Sequence, residues 1–296
     1  MSEIEITPIA FDSLGVRSMA TLIETKDVIL FIDPSAALGP RRYSLPPHPI
    51  ELKALEDSLD KISTMIRDAE IVVISHYHYD HHNPNAPELL KGKKVYLKHP
   101  KDHINISQKI RAARFLKLLK DIGKPSSIEY ADGKELSIGN TIIRFSEPVP
   151  HGVNDRLGYV IMVTVIYRDE HILFTSDVEG PPLSIQRDII IRENPSLLIL
   201  DGPMTYMLGY RYSRRALENS LSNLREIVRN TDVETIIIDH HFMRDLEYKK
   251  YIELMTASFP RDITLSSAAE FSGREPLLLE ARRKELYEHI ERNDEY

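Results

Sequence analysis

The chain has 296 residues, long enough to bury a substantial core without staples. With 42% hydrophobic and 28% charged residues, and no apolar run near the roughly 18 residues of a membrane span, it reads as a soluble globular protein of one domain, 1–296. A net charge of −7 argues against indiscriminate nucleic-acid binding, and the absence of cysteine removes disulfides and thiolate ligands and suits a cytoplasmic location, with no membrane partner.

The acidic start, Met1 to Glu5, has no secretory character, and Ile4 to Ile32 reads as two or three strands turning near Ser13-Leu14-Gly15. Pro40 to Pro49 is a proline-rich loop carrying Arg41, Arg42, Tyr43 and His48. Ile50 to Asp68 places Leu52, Leu55, Leu59, Ile62 and Ile66 on one helical face. Ile71 to Ile74 is a buried strand, Val95 to Leu97 a short one, and Ser107 to Lys120 a helix. Ser127–Tyr130, Lys134–Ile138, Thr141–Phe145, Tyr159–Tyr167 and His171–Thr175 read as a second half-sheet, with turn pairs at Asp132-Gly133 and Gly139-Asn140. Strands at Pro195–Leu200, Glu234–Ile238 and Arg261–Ser266 alternate with helices at Arg214–Arg229 and Leu246–Ala257, and a charged helix runs from Glu275 to Arg292.

Several of these strands stop at residues able to bind metal. After Ile71–Ile74 come His76, His78, Asp80, His81 and His82. Imidazole and carboxylate together suit a first-row divalent ion, zinc first, with iron or manganese compatible. In an extended segment alternate residues share a side, so His76 and His78 can reach one ion, and Asp80 and His81 a second. His151 lies in a turn, Asp177 ends the run Ile172–Ser176, and Asp239, His240 and His241 end Thr235–Ile238. Loops on one rigid rim are where catalytic groups gather.

The order His-x-His-x-Asp-His, lone His, lone Asp, final His resembles the metallo-β-lactamase superfamily over roughly Ile6 to Leu265. Ile32-Asp33-Pro34, Asn105-Ile106-Ser107-Gln108, Asp201-Gly202-Pro203-Met204 and Asp239-His240-His241 look like a branch of uncharacterised archaeal metal-dependent hydrolases. The resemblance implies an αββα sandwich, two mixed β-sheets flanked by helices, and two divalent ions. His76, His78 and His151 would hold the first. Asp80, His81 and His240, or its neighbour His241, would hold the second, and Asp177 would bridge them. A hydroxide shared by the ions would attack an ester-like or phosphodiester bond of a small or medium anionic substrate, with Asp80 orienting it or protonating the leaving group.

Around this set, Asp33 is expected to support a ligand histidine, and Arg244, His241, Tyr77, Tyr79, Ser13, Arg17 and Tyr206 are candidate substrate contacts. His82 reads as supporting or structural, and His48, His99, His103, His171 and His289 as ordinary histidines. The basic stretch Lys91 to Lys124 is either a solvated helix face or an anion-attracting wall. Competing readings are a ribonuclease or nucleic-acid phosphodiesterase, a di-iron oxygen-handling protein, and a metal-stabilised scaffold without activity. Composition leaves the substrate and the oligomeric state open.

Overall fold

The computed structural model describes residues 3–293, with side chains as far as residue 288; Met1, Ser2 and the side chain of His289 lie outside the described residues. The strands are β1 (Glu5–Phe11), β2 (Met19–Glu24), β3 (Ile29–Ile32), β4 (Ile71–Ile74), β5 (Lys94–Leu97), β6 (Ser127–Tyr130), β7 (Glu135–Ile138), β8 (Thr141–Phe145), β9 (Val149–Pro150), β10 (Tyr159–Val160), β11 (Val163–Tyr167), β12 (Glu170–Phe174), β13 (Leu197–Leu200), β14 (Thr235–Ile238) and β15 (Thr264–Ser266). The helices are α1 (Pro49–Met65), α2 (Ile106–Leu118), α3 (Ser184–Glu193), α4 (Arg214–Asn230), α5 (Tyr248–Ser258), α6 (Ala268–Phe271) and α7 (Arg283–Asn293).

One sheet runs β1-β2-β3-β4-β5-β6 and the other β15-β14-β13-β12-β11-β8-β7. β3 to β6 are mutually parallel, as are β12 to β15. Parallel strands covered on both faces read as continuous apolar runs, which is why Ile71–Ile74 and Thr235–Ile238 show no polar alternation. Three apolar layers follow. Phe11, Ile32, Val73, Phe145, Phe174 and Ile237 fill the space between the sheets. Val72, Val95, Ile62 and Phe115 join the first sheet to α1 and α2, and Leu198, Ile236, Ile190, Leu224 and Met255 join the second to α3, α4 and α5. This is the expected αββα sandwich.

Three expectations change. Ser127–Tyr130 belongs to the first sheet, paired parallel to β5, because its partner is supplied by the crossover through α2 and not by the hairpins that follow it. α3 has no clean helical signature: three consecutive isoleucines mask the period, and only Ile189 and Ile190 of them are buried. The terminal helix starts at Arg283, since Pro276 and the buried stretch Leu278–Ala281 pack as loop and turn against the body, with Leu278 left-handed (φ 49°).

Candidate metal centre

The parallel ladders bring the functional segments to one rim, because the carboxyl ends of β3 and β4 in one sheet meet those of β12, β13 and β14 in the other. Asp33 follows β3, Ser75 and His76 follow β4, Asp177 follows β12, Asp201 follows β13, and Asp239 to His241 follow β14. His151 follows β9 and is tied to the first motif through α2: Asn105 caps that helix by accepting from the Gln108 amide (2.8 Å), while the Gln108 side chain accepts from the Tyr77 amide (3.0 Å) and donates to the Leu157 carbonyl (2.6 Å).

His76, His78, His151 and Asp177 present ligand atoms within 4.8 Å of one another, as do Asp80, His81 and His240, and Asp177, His240 and His241. Asp177 lies between them all, its Oδ2 3.1 Å from His151 Nε2, 3.5 Å from His240 Nε2 and 3.8 Å from His241 Nε2, and its Oδ1 3.1 Å from His81 Nε2. Yet Asp177 Oδ1, His76 Nε2 and His81 Nε2 are buried without a properly aligned hydrogen-bond partner. Buried polar atoms left so carry a penalty on the order of 1–3 kcal/mol each. Inward-facing, unpartnered imidazole and carboxylate atoms fit divalent cations, and the donor set is nitrogen and oxygen only, as zinc, iron or manganese accept.

The imidazoles are aimed from behind. His81 Nδ1 donates to Asp33 Oδ2 (2.8 Å), His240 Nδ1 to Asp12 Oδ2 (2.7 Å) and His241 Nδ1 to Asp201 Oδ2 (2.8 Å). Ser75 Oγ donates to Asp33 and lies 3.1 Å from His76 Nδ1, so Asp33 orients a second imidazole through a hydroxyl. A carboxylate behind His81, His240 and His241 holds Nδ1 and turns Nε2 inward, the atom that would ligate. His151 lacks such a bond: its Nδ1 is 3.7 Å from Glu179 Oε1. Glu179 is packed against Gly152, where a Cβ at φ 78° would stand 2.1 Å from Glu179 Oε2, so only glycine is accommodated. Asp33, Ser176, Glu179 and His240 all have positive φ, so the loops that follow these strands each hold a residue in the left-handed region.

Charge follows the packing. Burial, with His81 and His78 beside it, holds His76 well below the usual histidine range, and burial brings His78 down to about 3, so both rings keep free lone pairs. Burial also lowers His241. At His81 and His240 burial is overcome by carboxylates, Asp177 first, and the His240 ring rises to about 9. Burial opposes ionisation of Asp177 and Asp80 too, but His81 and His240 more than offset it and both stay ionised. Burial and the Asp177 charge raise Asp201, and burial raises Glu179 to about 7.

His240 and His241 depart from the expected alternation. The strand ends at Ile238, His240 is left-handed (φ 43°) and His241 right-handed helical (φ −59°), so both rings turn inward with centroids 4.5 Å apart. Tyr77 is not a substrate contact: it is fully buried in the core and its hydroxyl donates to the Lys98 carbonyl. Ser13 is structural, its amide donating to Asp239 and its hydroxyl accepting from Ala269. Arg17 is spent on Glu280. His82 donates to the His78 carbonyl (2.8 Å) and packs on Tyr77, Tyr79 and Phe115, outside the cluster. His48 caps α1, His171 lies 3.1 Å from the Glu193 carbonyl, and His99 and His103 pack edge-on to Tyr130 and Tyr159. Of the basic stretch, Arg111 reaches the rim, stacked 4.7 Å over Tyr79, whereas Lys109 and Arg114 are exposed.

Sequence reasoning missed Asp12, Glu179 and a role for Asp201. Asp12 also accepts from Arg244 Nε (2.7 Å), and Arg244 Nη2 lies 3.2 Å from the His240 ring nitrogens. For Asp12 and Asp201 the one signal was position, directly after an apolar run, and Glu179 had none.

No protein-family model matches the chain. Its curated relatives are archaeal proteins matched along nearly their whole length: a UPF0282 protein of Saccharolobus islandicus is 46% identical over 293 residues, covering 97% of this chain and 94% of that one, and one of Korarchaeum cryptofilum is 48% identical over 286 residues, covering 96% and 94%. The chain belongs to the UPF0282 family. Among solved structures, the metallo-β-lactamase fold protein YhfI of Bacillus subtilis is 16% identical with a TM-score of 0.56, covering 89% of this chain and 96% of that one. Yeast PDE1 (14% identical, TM-score 0.51, 90% and 99% covered) and Zn2+-bound PqqB of Methylobacterium extorquens (9%, 0.51, 88% and 97%) share the same architecture. This UPF0282 chain therefore has the metallo-β-lactamase fold. Among the described residues no helix is long and apolar enough to cross a membrane.

Proposed function

We propose that this protein is a metal-dependent hydrolase with a dinuclear centre, acting on an ester-like or phosphodiester bond of a small or medium anionic substrate. The observation that carries the reading is the cluster itself: His76, His78, His151 and Asp177 form one ligand group, Asp80, His81 and His240 a second, and His76 Nε2, His81 Nε2 and Asp177 Oδ1 are buried without an aligned hydrogen-bond partner. Two divalent ions, zinc foremost, would supply Lewis acidity and a water acidified toward neutrality. Asp177 stands between the two groups and His241 adjoins it, so four-ligand sets are within reach on both sides.

The remaining work falls to the chain. Asp80 is the only half-buried member among these acids, its Oδ2 3.7 Å from His240 Nε2. An ionised carboxylate there can orient the attacking water, take its proton and return it to the leaving group. Arg244, held by Asp12, places a fixed positive charge beside the centre and favours negative charge developing on the substrate. The Asp33, Asp12 and Asp201 contacts keep the imidazoles from reorganising during the reaction.

The test is metal analysis of purified protein followed by a panel of phosphodiesters, thioesters, lactones, β-lactams and RNA. Near two ions per chain are expected, with turnover abolished by chelation and reduced about 10²- to 10⁴-fold in Asp80→Asn. A ceiling of one ion with every ligand intact removes the dinuclear assignment, and turnover that survives chelation removes the metal-dependent one.

A further inference from the structure

The loop between β3 and α1 is clamped from the other end of the chain. Arg283 is fully buried and forks onto Glu51, with Nε to Oε2 and Nη2 to Oε1 both 2.7 Å, and it also donates to the carbonyls of Gly39 (2.9 Å) and Leu45 (3.1 Å). Tyr43 donates to the Ala281 carbonyl (3.0 Å) and Tyr287 to that of Pro47 (3.3 Å). A Cβ at Gly39 would lie 2.5 Å from Arg17 Nη2 and 2.6 Å from Glu280 Oε2, so a larger residue there would push on the Arg17–Glu280 pair. A segment fixed at so many points presents its side chains in set positions.

What it presents is Arg42. Its guanidinium stacks 4.6 Å from the Tyr206 ring centroid and 4.9 Å from that of Tyr43. It donates once, through Nη2 to the Arg244 carbonyl (3.1 Å), and its Nε is buried without a partner. Among the described residues no carboxylate forms an ion pair with it, whereas Arg17 is bound twice by Glu280 and Arg244 by Asp12. Three guanidiniums thus share two carboxylates, and the unmatched charge is the one on the outer, half-buried side chain. Burial opposes ionisation of Glu280, yet Arg17, Arg244 and Arg42 together draw its carboxyl down to about 2.

This cation is joined to the metal cluster by contact. Tyr206, on which Arg42 lies, has its hydroxyl 3.5 Å from Arg244 Nη1, and Arg244 touches the His240 ring. The gap among Asp12, Arg17, Arg244 and Glu280, which neither Arg42 nor Tyr206 lines, is only about 10 Å³, room for one water. A ligand cannot enter there and must meet Arg42 from outside, across Tyr206 and Tyr43. Stacking alone does not require a charge, and a half-buried guanidinium with no carboxylate partner is costly unless an anion arrives to pair with its outer Nη groups, the buried Nε staying out of that ligand's reach. A planar fork held between aromatic faces is suited to bidentate recognition of a carboxylate or phosphate.

We propose that Arg42 is the specificity-determining residue of this site, receiving a remote carboxylate or phosphate group of a small substrate whose scissile bond lies at the histidine cluster. The substrate class is then a two-ended one: a hydrolysable ester-like or phosphodiester bond at one end, an anion at the other. This deepens the hydrolase reading and rests on it.

Calorimetric titration of the metal-loaded protein tests it without turnover. The two-ended probes are glutarate and 3-phosphonopropionate, and the one-ended controls acetate and methylphosphonate. Arg42→Gln should weaken the two-ended probes about tenfold or more and leave the controls unchanged, with Arg42→Lys intermediate because an ammonium keeps the charge and loses the fork. Melting curves establish that the variants fold. Equal binding of the two-ended probes by wild type and Arg42→Gln, or no binding of them by wild type, overturns the proposal. So does an Arg42→Gln that loses salt-dependent RNA binding while holding these probes normally, which assigns the residue to nucleic acid. Arg42-dependent binding by a protein that hydrolyses nothing in the panel removes the hydrolase reading instead, and turnover of anionic substrates with unchanged KM in Arg42→Gln removes only the role of Arg42.

Discussion

Asp12 offers a way to separate what holds the fold from what aims the proposed metal ligands. It is almost fully buried, and one carboxylate serves two partners: Arg244 Nε at 2.7 Å and His240 Nδ1 at 2.7 Å. Asp12→Leu leaves Arg244 buried with no carboxylate. Breaking a buried ion pair from one side costs about 3–5 kcal/mol, so melting should fall by several degrees or more. The same change removes the acceptor that fixes the His240 ring, and lost outer contacts of this kind weaken metal binding about 10- to 100-fold. The double variant Asp12→Leu, Arg244→Met removes both charges and should regain much of the lost stability, because no lone charge stays in the interior. Its metal affinity should not recover, since His240 Nδ1 still has nothing to donate to. The assays are thermal melting of chelator-treated protein and competition against a chromogenic chelator. Recovery of metal affinity together with stability in the double variant would refute the reasoning, since Asp12 would then act on the centre only through the fold.

Two further expectations follow from the same geometry. Because His240 and His241 both turn toward Asp177, each alanine variant should lower metal retention; full occupancy in His241→Ala returns that ring to a purely structural role. Glu280, whose carboxyl is drawn from 4.5 down to about 2 against the burial penalty by Arg17, Arg244 and Arg42, contributes about 3 kcal/mol in the folded state. A depressed carboxyl stabilises fully above its unfolded value and loses that contribution as pH falls toward 2. The stability gap between wild type and Glu280→Gln should therefore be constant above about pH 5 and narrow below it, measured by denaturant midpoints; a pH-independent gap contradicts the pairing.

The sequence by itself determined the ladder strands and the ligand-type residues at their ends. Ile71–Ile74, Ile172–Phe174 and Ile236–Ile238 are unbroken apolar runs because parallel strands covered on both faces allow no polar alternation, and the turn beyond each is where backbone and side chains become free to serve a site. His76, His78, Asp80, His81, His151 and Asp177 were legible for that reason, and the order of the motifs pointed to the fold. Tertiary structure alone decided the rest. Asp12 lies 228 positions from His240, a separation that no local pattern spans. That both His240 and His241 face inward depends on a left-handed residue just past a strand, whereas the period-2 argument assumes extended backbone. Tyr77 alternates with the ligands and so points away from them, into the core, and only the packing of Lys98 and α2 behind it shows which side is inside. Arg42 looked like one more charge in a proline-rich loop until Arg283, brought back by the end of the chain, fixed that loop over Tyr206 and beside the centre.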